Sequence, residues 1–483
     1  MMFLRATALF CNAVRFFPFR EVNTTQQTLL LMITSSRLSQ LILCSLFLTA
    51  SFGAPSAAHA DVVVDWNSAM TSYSESLPPP GMPPFVEARV YAMTHIAVLN
   101  ANSSNTQNYS RVAAVAQAAH DVLVNQFPDG ATSFDSLLAE EFASIPNGPA
   151  KHLGRELGAA AAASMLAARQ NDGAATAEGP YTPGNKPGDY QFTPPFDGPP
   201  FNGYAAVPKW GQVTPFVMQN VQDFRAPAPY DVLDLAYWFD FNEIKALGSE
   251  NSTVRSADQT NLAKFWYENS SFSWNRVARL LVAQQANTLA EHARLFAALN
   301  AAIADAYIAS FDSKCLYNFW RPITAIQRAD IDGNRHTEVD AGWQPLLLTP
   351  PVPEYPSAHA AAGSAAATVL IWFFRGDDHT FTFASTFPVP PRTFLRISGA
   401  AKENAFSRML VEFTSAGRVQ LVVRRVSQSA GLPRRHSPHL SSMQQSLRSS
   451  ERGYHTTSAM MAYERCVSSK GTRTAPETGE SDG

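Results

Sequence analysis

Trp274-Asn-Arg-Val-Ala-Arg-Leu-Leu-Val-Ala-Gln-Gln-Ala-Asn-Thr-Leu-Ala-Glu-His-Ala-Arg-Leu-Phe-Ala-Ala-Leu-Asn-Ala-Ala-Ile-Ala-Asp-Ala-Tyr-Ile-Ala309 decides the fold class. These 36 residues hold Ala, Leu, Arg and Gln and neither Gly nor Pro. Such a composition reads as one long helix. Working outward, residues 86–101 and 112–126 carry apolar side chains at three-to-four spacing. Residues 151–169 are Ala-rich and end before Asn171-Asp172-Gly173, a stop signal. Residues 230–247, 260–267, 360–374 and 398–410 complete the predicted helices. Alternation with period two is scarce, and residues 102–108 and 128–133 read as loops. The expectation is an all-α helical bundle whose small Ala faces let helices approach closely.

Between residues 173 and 229 the helical pattern stops. This stretch holds eleven Pro, interleaved with Tyr181, Tyr190, Phe192, Phe196, Phe201, Tyr204 and Trp210. Linkers rich in Pro and Gly seldom carry so many rings. We therefore expect a long ordered loop packed over the bundle, placed to shape an entrance.

The chain has 483 residues, 46% hydrophobic and 16% charged, which excludes a mostly disordered chain. The net charge of -3 excludes a strongly basic nucleic-acid binder. That total hides three parts: residues 1–60 sum to +3, 61–410 to -10 and 411–483 to +4. Arg37, an apolar run over 41–50 and Ala58-His59-Ala60 before Asp61 give the basic, apolar and cleavage regions of a secretory signal. Met32 reads as its start, and residues 1–31 as an extension that fits badly ahead of it. The mature chain is thus expected near Asp61, exported to a periplasmic or extracellular space, with only Cys315 and Cys466 left. No later run reads as a membrane span.

Three clusters carry chemistry. Lys314-Cys-Leu-Tyr-Asn-Phe-Trp-Arg321-Pro322 places two cations seven apart, nearly two helical turns, so both can face one point. Pro322 would then redirect the chain. Glu354-Tyr-Pro356-Ser357-Ala358-His359 follows Pro350, Pro351 and Pro353 and opens an Ala-rich helix. Ser357 is a candidate N-cap, and free N–H groups at a helix start favour an anion. Ser407-Arg408 lies in the last predicted helix. Two Arg, one Lys, a capped helix start and a His describe an oxyanion cradle with a proton donor. Each residue alone has an ordinary reading: a solvated helix face for Lys314 and Arg321, a plain cap for Ser357, an ordinary polar residue for His359.

Together the three ordered blocks resemble the signature shared by vanadium-dependent haloperoxidases and type 2 phosphatidic acid phosphatases: Lys-x6-Arg-Pro, Pro-Ser-Gly-His and Ser-Arg-x5-His. Further segments are similar to the secreted bacterial haloperoxidase-like branch. They are Asp65-Trp66-Asn67, the run from Trp210 to Phe216, Asn318-Phe319-Trp320 and Glu354-Tyr355-Pro356. The resemblance covers about residues 61–410 and implies a helical bundle of the vanadium haloperoxidase/acid phosphatase type. It implies vanadate, or phosphate in the same place, held by Lys314, Arg321, Arg408, Ser357 and the N–H of Ala358, with His359 as the acid–base group. Hydrogen peroxide and halide would be the substrates, hypohalous acid the product, and a homodimer the assembly. The alternatives are an exported acid phosphatase acting on a phosphate ester, and an inactive oxyanion-binding remnant.

The sequence departs from the signature twice. Ala358 replaces Gly, which keeps the N–H and matters only if the backbone there is left-handed. Thr414 stands six residues after Arg408, where the third block should end in the His that bonds vanadium or attacks phosphorus. This loss predicts weak or absent catalysis. Residues 410–416, Leu-Val-Glu-Phe-Thr-Ser-Ala, allow a codon set that, read from its third base, gives Gly-Gly-Ile-His-Phe-Arg with His at position 414. Residues 411–483 hold thirteen Ser and ten Lys+Arg, and apolar periodicity fades after Val426. We read this tail as the result of a one-base loss near codon 410, against a genuine basic, disordered tail. Resequencing that region tests it, and confirmed bases with no frame encoding Gly-x-His would sink the reading.

His95 and His120 sit in apolar helices and read as core residues. Glu291, His292 and Asp305 lack the partner motif of a di-iron bundle. Asp330-Ile-Asp332-Gly333-Asn334 has the wrong spacing for a calcium loop and reads as a surface turn.

Overall fold

The computed structural model describes residues 61–78 and 81–411. The leader, its start at Met32, the tail and Thr414 lie outside the described residues. Within them the chain is mostly helical: α1 (Val62–Ser76), α2 (Pro84–Asn102), α3 (Arg111–Gln126), α4 (Ala131–Ser144), α5 (Pro149–Arg169), α6 (Leu235–Leu247), α7 (Ala257–Phe265), α8 (Ser270–Val282), α9 (Leu289–Tyr317), α10 (Pro322–Gln327), α11 (Ala358–Phe374) and α12 (Ile397–Met409). Two three-residue strands, β1 (Phe381–Phe383) and β2 (Arg392–Phe394), pair antiparallel between α11 and α12.

The all-α expectation holds, with corrections. The 36-residue run is two helices, α8 and α9. Thr288 and Glu291 form a capping box that starts α9: the Thr288 hydroxyl accepts from the Glu291 N–H, and the Glu291 carboxylate accepts from the Thr288 N–H. A local cap thus outweighs a sequence free of Gly and Pro. Residues 128–133 are not a loop. A 3₁₀ turn over Pro128–Gly130 leads straight into α4. The 330–334 turn is at the surface as read, with Asp330, Ile331 and Gly333 exposed. Asp332 is buried and accepts from the Asn334 N–H and the Thr337 hydroxyl.

α9 is the axis of the bundle, packed between α2 and α11, with α3 and α5 beyond α2 and α12 beyond α11. It is long and apolar enough to cross a membrane, yet 89% of its apolar window is buried inside the bundle. Small residues set the spacing. A Cβ at Gly154 or Gly158 of α5 would lie 2.4 Å from the carbonyl oxygen of Ser110 or Ala114, so α3 and α5 touch backbone to backbone. Trp66, Trp266, Trp274 and Trp320 are fully buried.

A polar layer crosses the bundle through Asn67 of α1. Its side-chain amide donates to His95 Nε2 and Asn275 Oδ1, and its carbonyl oxygen accepts from Arg279. His95 is therefore an acceptor at Nε2. Burial, with help from Arg279, holds its pKa down at about 3, so it stays neutral.

The Pro-rich stretch is packed along α9, as its rings indicated. Asp305 of α9 accepts from the consecutive N–H groups of Phe216, Val217 and Met218 at 2.7–2.8 Å. Arg225 makes a two-point ion pair with Asp312, nearly two turns further on. Gly211 lies so close that a Cβ would sit 2.5 Å from the Asp312 backbone. Replacing Asp305 with Ala removes three charge-assisted bonds and should lower the unfolding free energy by roughly 3 kcal/mol. Urea unfolding measures this, and an unchanged midpoint would contradict the anchoring role.

Candidate functional site

Lys314 lies in the last turn of α9. Asn318 ends that helix in a left-handed conformation (φ 46°), its N–H donating to the Lys314 carbonyl. The chain then passes through Phe319 and Trp320, and Arg321 caps α10 with Pro322 at its first position. Lys314 and Arg321 are therefore not on one helical face, as their spacing implied. They meet because a helix end and a helix start converge on one segment. Lys314 Nζ donates to the carbonyls of Pro353 (2.7 Å) and Glu354 (2.6 Å). Arg321 donates from Nε to the Val352 carbonyl (2.7 Å) and from Nη1 to the Glu354 carboxylate (2.6 Å). The Glu354 N–H closes the loop by donating to the Phe319 carbonyl.

Three residues after Glu354, Ser357 is the N-cap of α11, its hydroxyl accepting from the Ala360 N–H at 3.3 Å. Ala358 opens the helix, and its φ is not positive. The replaced Gly therefore brings no backbone strain, and the N–H of Ala358 stays at the helix start. His359 follows in the first turn, half-buried.

Two contacts fix where Arg408 sits. Ser398, at the start of α12, bonds Asp377 just past the end of α11. Gly363, in the second turn of α11, faces Asn404, since a Cβ there would lie 2.2 Å from Asn404 Oδ1. The helices thus run antiparallel, and one turn onward in opposite directions brings His359 and Arg408 to the same level. Arg408 donates from Nε to the Ser407 hydroxyl (3.1 Å) and from Nη2 to the Ala263 carbonyl (3.4 Å). Its guanidinium lies 5.9 Å from the centre of the Tyr267 ring.

Lys314, Arg321 and Arg408 are 3%, 1% and 2% exposed. Buried cations are costly unless partnered, and Lys314 donates to two carbonyl oxygens of the segment before α11. A tetrahedral oxyanion suits this donor set: two planar guanidinium forks, one ammonium and a capped helix start. The sequence marked these donors, but missed two partners. Glu354 was visible as a lone acid in a Pro-rich approach, yet only the fold makes it the counterion of Arg321. Tyr267 carried no sequence signal. Glu354→Gln leaves a buried guanidinium without its carboxylate and should destabilise by about 3 kcal/mol. Urea unfolding checks this, and a midpoint equal to the parent's would contradict it.

The remaining candidates have structural partners. His292 Nδ1 pairs with Asp61 (2.7 Å), and His120 lies between Asp121 and Asp135. Among the described residues no group of three or more His, Cys, Asp or Glu is placed to hold a metal ion.

Residues 294–415, which span the cradle from Lys314 to Arg408, match the family described as the VCPO second helical-bundle domain. Vanadium chloroperoxidase of Curvularia inaequalis is 30% identical over 152 residues, covering 26% of this chain and 24% of that protein. The chain thus spans about a quarter of the length of that curated relative. Among solved structures, a bacterial vanadium-dependent iodoperoxidase superposes with a TM-score of 0.63 at 22% identity, covering 77% of this chain and 94% of that one. A holo-type bacterial vanadium-dependent chloroperoxidase gives 0.60 at 17% identity, covering 78% and 96%.

Proposed function

We propose, for a chain whose fold is that of the vanadium haloperoxidases, that the cradle at the start of α11 binds vanadate. What supports the reading is that Lys314 and Arg321 both hold residues 352–354 just ahead of the Ser357 cap, with Arg408 buried on the helix packed against α11. Lys314 and the two Arg would hold the anion's oxygens. Ser357 and the N–H of Ala358 would add donors. His359, half-buried at the same level, would exchange a proton with an oxygen of the bound group. When bound, vanadate supplies the centre at which hydrogen peroxide is activated toward a halide. The present sequence, with Thr414 in place of the bonding His, is proposed to keep the anion and to turn over weakly or not at all. We also propose export of the mature chain, consistent with the leader pattern before Asp61.

The test has two arms. The full chain is titrated with orthovanadate, then assayed for bromide oxidation with added vanadate and peroxide. Binding with little or no turnover is expected. Turnover at the level of an intact haloperoxidase would refute the inactivity, and no binding would refute the cradle. Release of phosphate from a monoester without peroxide would replace this reading by the phosphatase.

A further inference from the structure

Arg408 and the segment held by Lys314 and Arg321 are both tied to the end of α7. Ala263 lies in the last turn of that helix, where carbonyls outrun the helix's own N–H groups. Its carbonyl oxygen accepts from Arg408 Nη2 at 3.4 Å, and a cation is favourably placed at a helix C-terminus. Four residues on, Tyr267 turns its ring to the same guanidinium, 5.9 Å from the ring centre, a range at which a cation is drawn to an aromatic face. The phenol reaches the other way and donates to the Leu348 carbonyl at 3.0 Å. Leu348 leads into residues 352–354, which accept from Lys314 and Arg321. Pro350, Pro351 and Pro353 stiffen that stretch, and the Ala206 N–H pins it by donating to the Pro351 carbonyl at 2.8 Å. Phe387 packs edge-on against the Tyr267 ring, 5.5 Å between centres.

We propose that Tyr267 is a positioning residue that sets the distance between Arg408 and the Lys314–Arg321 pair. One side chain touches both halves of the cradle: its face backs the Arg408 guanidinium, and its hydroxyl holds the head of the segment on which the other two cations close. The halves come from α12 and from the end of α9, and α7 is the element that bonds to each of them. An aromatic face attracts a guanidinium without neutralising it, so the charge of Arg408 stays available to an anion. The proposal rests on the oxyanion reading of the cradle.

The test is calorimetric titration of the full chain with orthovanadate, and separately with inorganic phosphate, alongside thermal melting. Tyr267→Leu removes both the ring face and the hydroxyl and should weaken both anions about tenfold. Tyr267→Phe keeps the face and loses only the bond to Leu348, so its affinity should return to within about threefold of the parent's. A double-mutant cycle separates positioning from a general loosening of the fold. In an Arg408→Lys background, which lacks the planar guanidinium, the Tyr267→Leu step should cost less than about twofold. Parent-like affinity in Tyr267→Leu, or an equal loss in both backgrounds, would overturn the positioning role while leaving the cradle intact. If melting shows that Tyr267→Leu does not fold, Tyr267→Phe decides: parent-like affinity there would overturn the proposal. No binding by the parent would overturn the oxyanion reading, and this proposal with it.

Discussion

A chain rebuilt through codon 410 in the alternative frame, with His at position 414, should oxidise bromide roughly 10⁴-fold faster than the present sequence, a loss of the size seen when a group that bonds the reacting centre is removed. The proposed cradle residues would supply charge and hydrogen bonds, which can hold an anion but do not bond its central atom. An imidazole nitrogen with a pKa near neutrality does so readily, whereas the hydroxyl of Thr414 would first have to lose a tightly held proton. The rebuilt and present chains are compared at saturating vanadate and peroxide. Equal rates would show either that the group at position 414 is dispensable or that another residue takes its place. His436, His439 and His455 lie in the same tail, so their Ala variants separate those outcomes.

The second large effect concerns pH. Glu87 of α2 is fully buried and accepts from the Ser74 hydroxyl. Burial raises its pKa from 4.5 to about 8, hydrogen bonding only partly offsetting it and Glu75 adding to it. The folded-state value thus lies above the unfolded one. Its contribution to stability is complete below pH 4.5, declines as the unfolded chain releases the proton that the fold retains, and is lost by pH 8. At about 1.4 kcal/mol per unit the loss across that window is roughly 5 kcal/mol. Glu87→Gln keeps the shape without the titration. Its stability should change less between pH 5 and 8, and at pH 8 it should exceed the parent's. Parallel pH profiles for the two chains would contradict this. Glu141, raised to about 7 mainly by burial, contributes a slope common to both chains and cancels in the difference.

The legible parts of this protein were those written in local pattern. Helices with long apolar or Ala-rich runs, such as α3, α5 and α11, fall close to their predicted limits. α4 was lost because Phe134 alone of its residues is buried, which leaves almost no periodicity to read. α1 was passed over as a motif, Asp65-Trp66-Asn67, whose helix is started by the Asp61 carboxylate accepting from Val63. The break at residues 283–288 was written in the Thr288–Glu291 cap and was overlooked in favour of composition. The hairpin of β1 and β2 was too short to show alternation.

At the site, residue types were visible and their geometry was not. Spacing suggested that Lys314 and Arg321 share a helical face. The fold reaches convergence by another route, a left-handed turn at Asn318 and a cap at Arg321. Glu354 meets Arg321 from a segment 33 residues away in sequence. Contacts of that range are set by packing of the whole bundle, and no local pattern encodes them.

The central claim is that Lys314, Arg321, Arg408 and the α11 start form one oxyanion site. Crystals of the full chain soaked in tungstate, an electron-dense analogue of vanadate, test it most directly. An anomalous peak is expected within hydrogen-bond distance of Lys314 Nζ and both guanidinium groups, in front of the Ser357 hydroxyl and beside His359. Tungstate bound only elsewhere, with Lys314 and Arg321 still closed on residues 352–354, would contradict it.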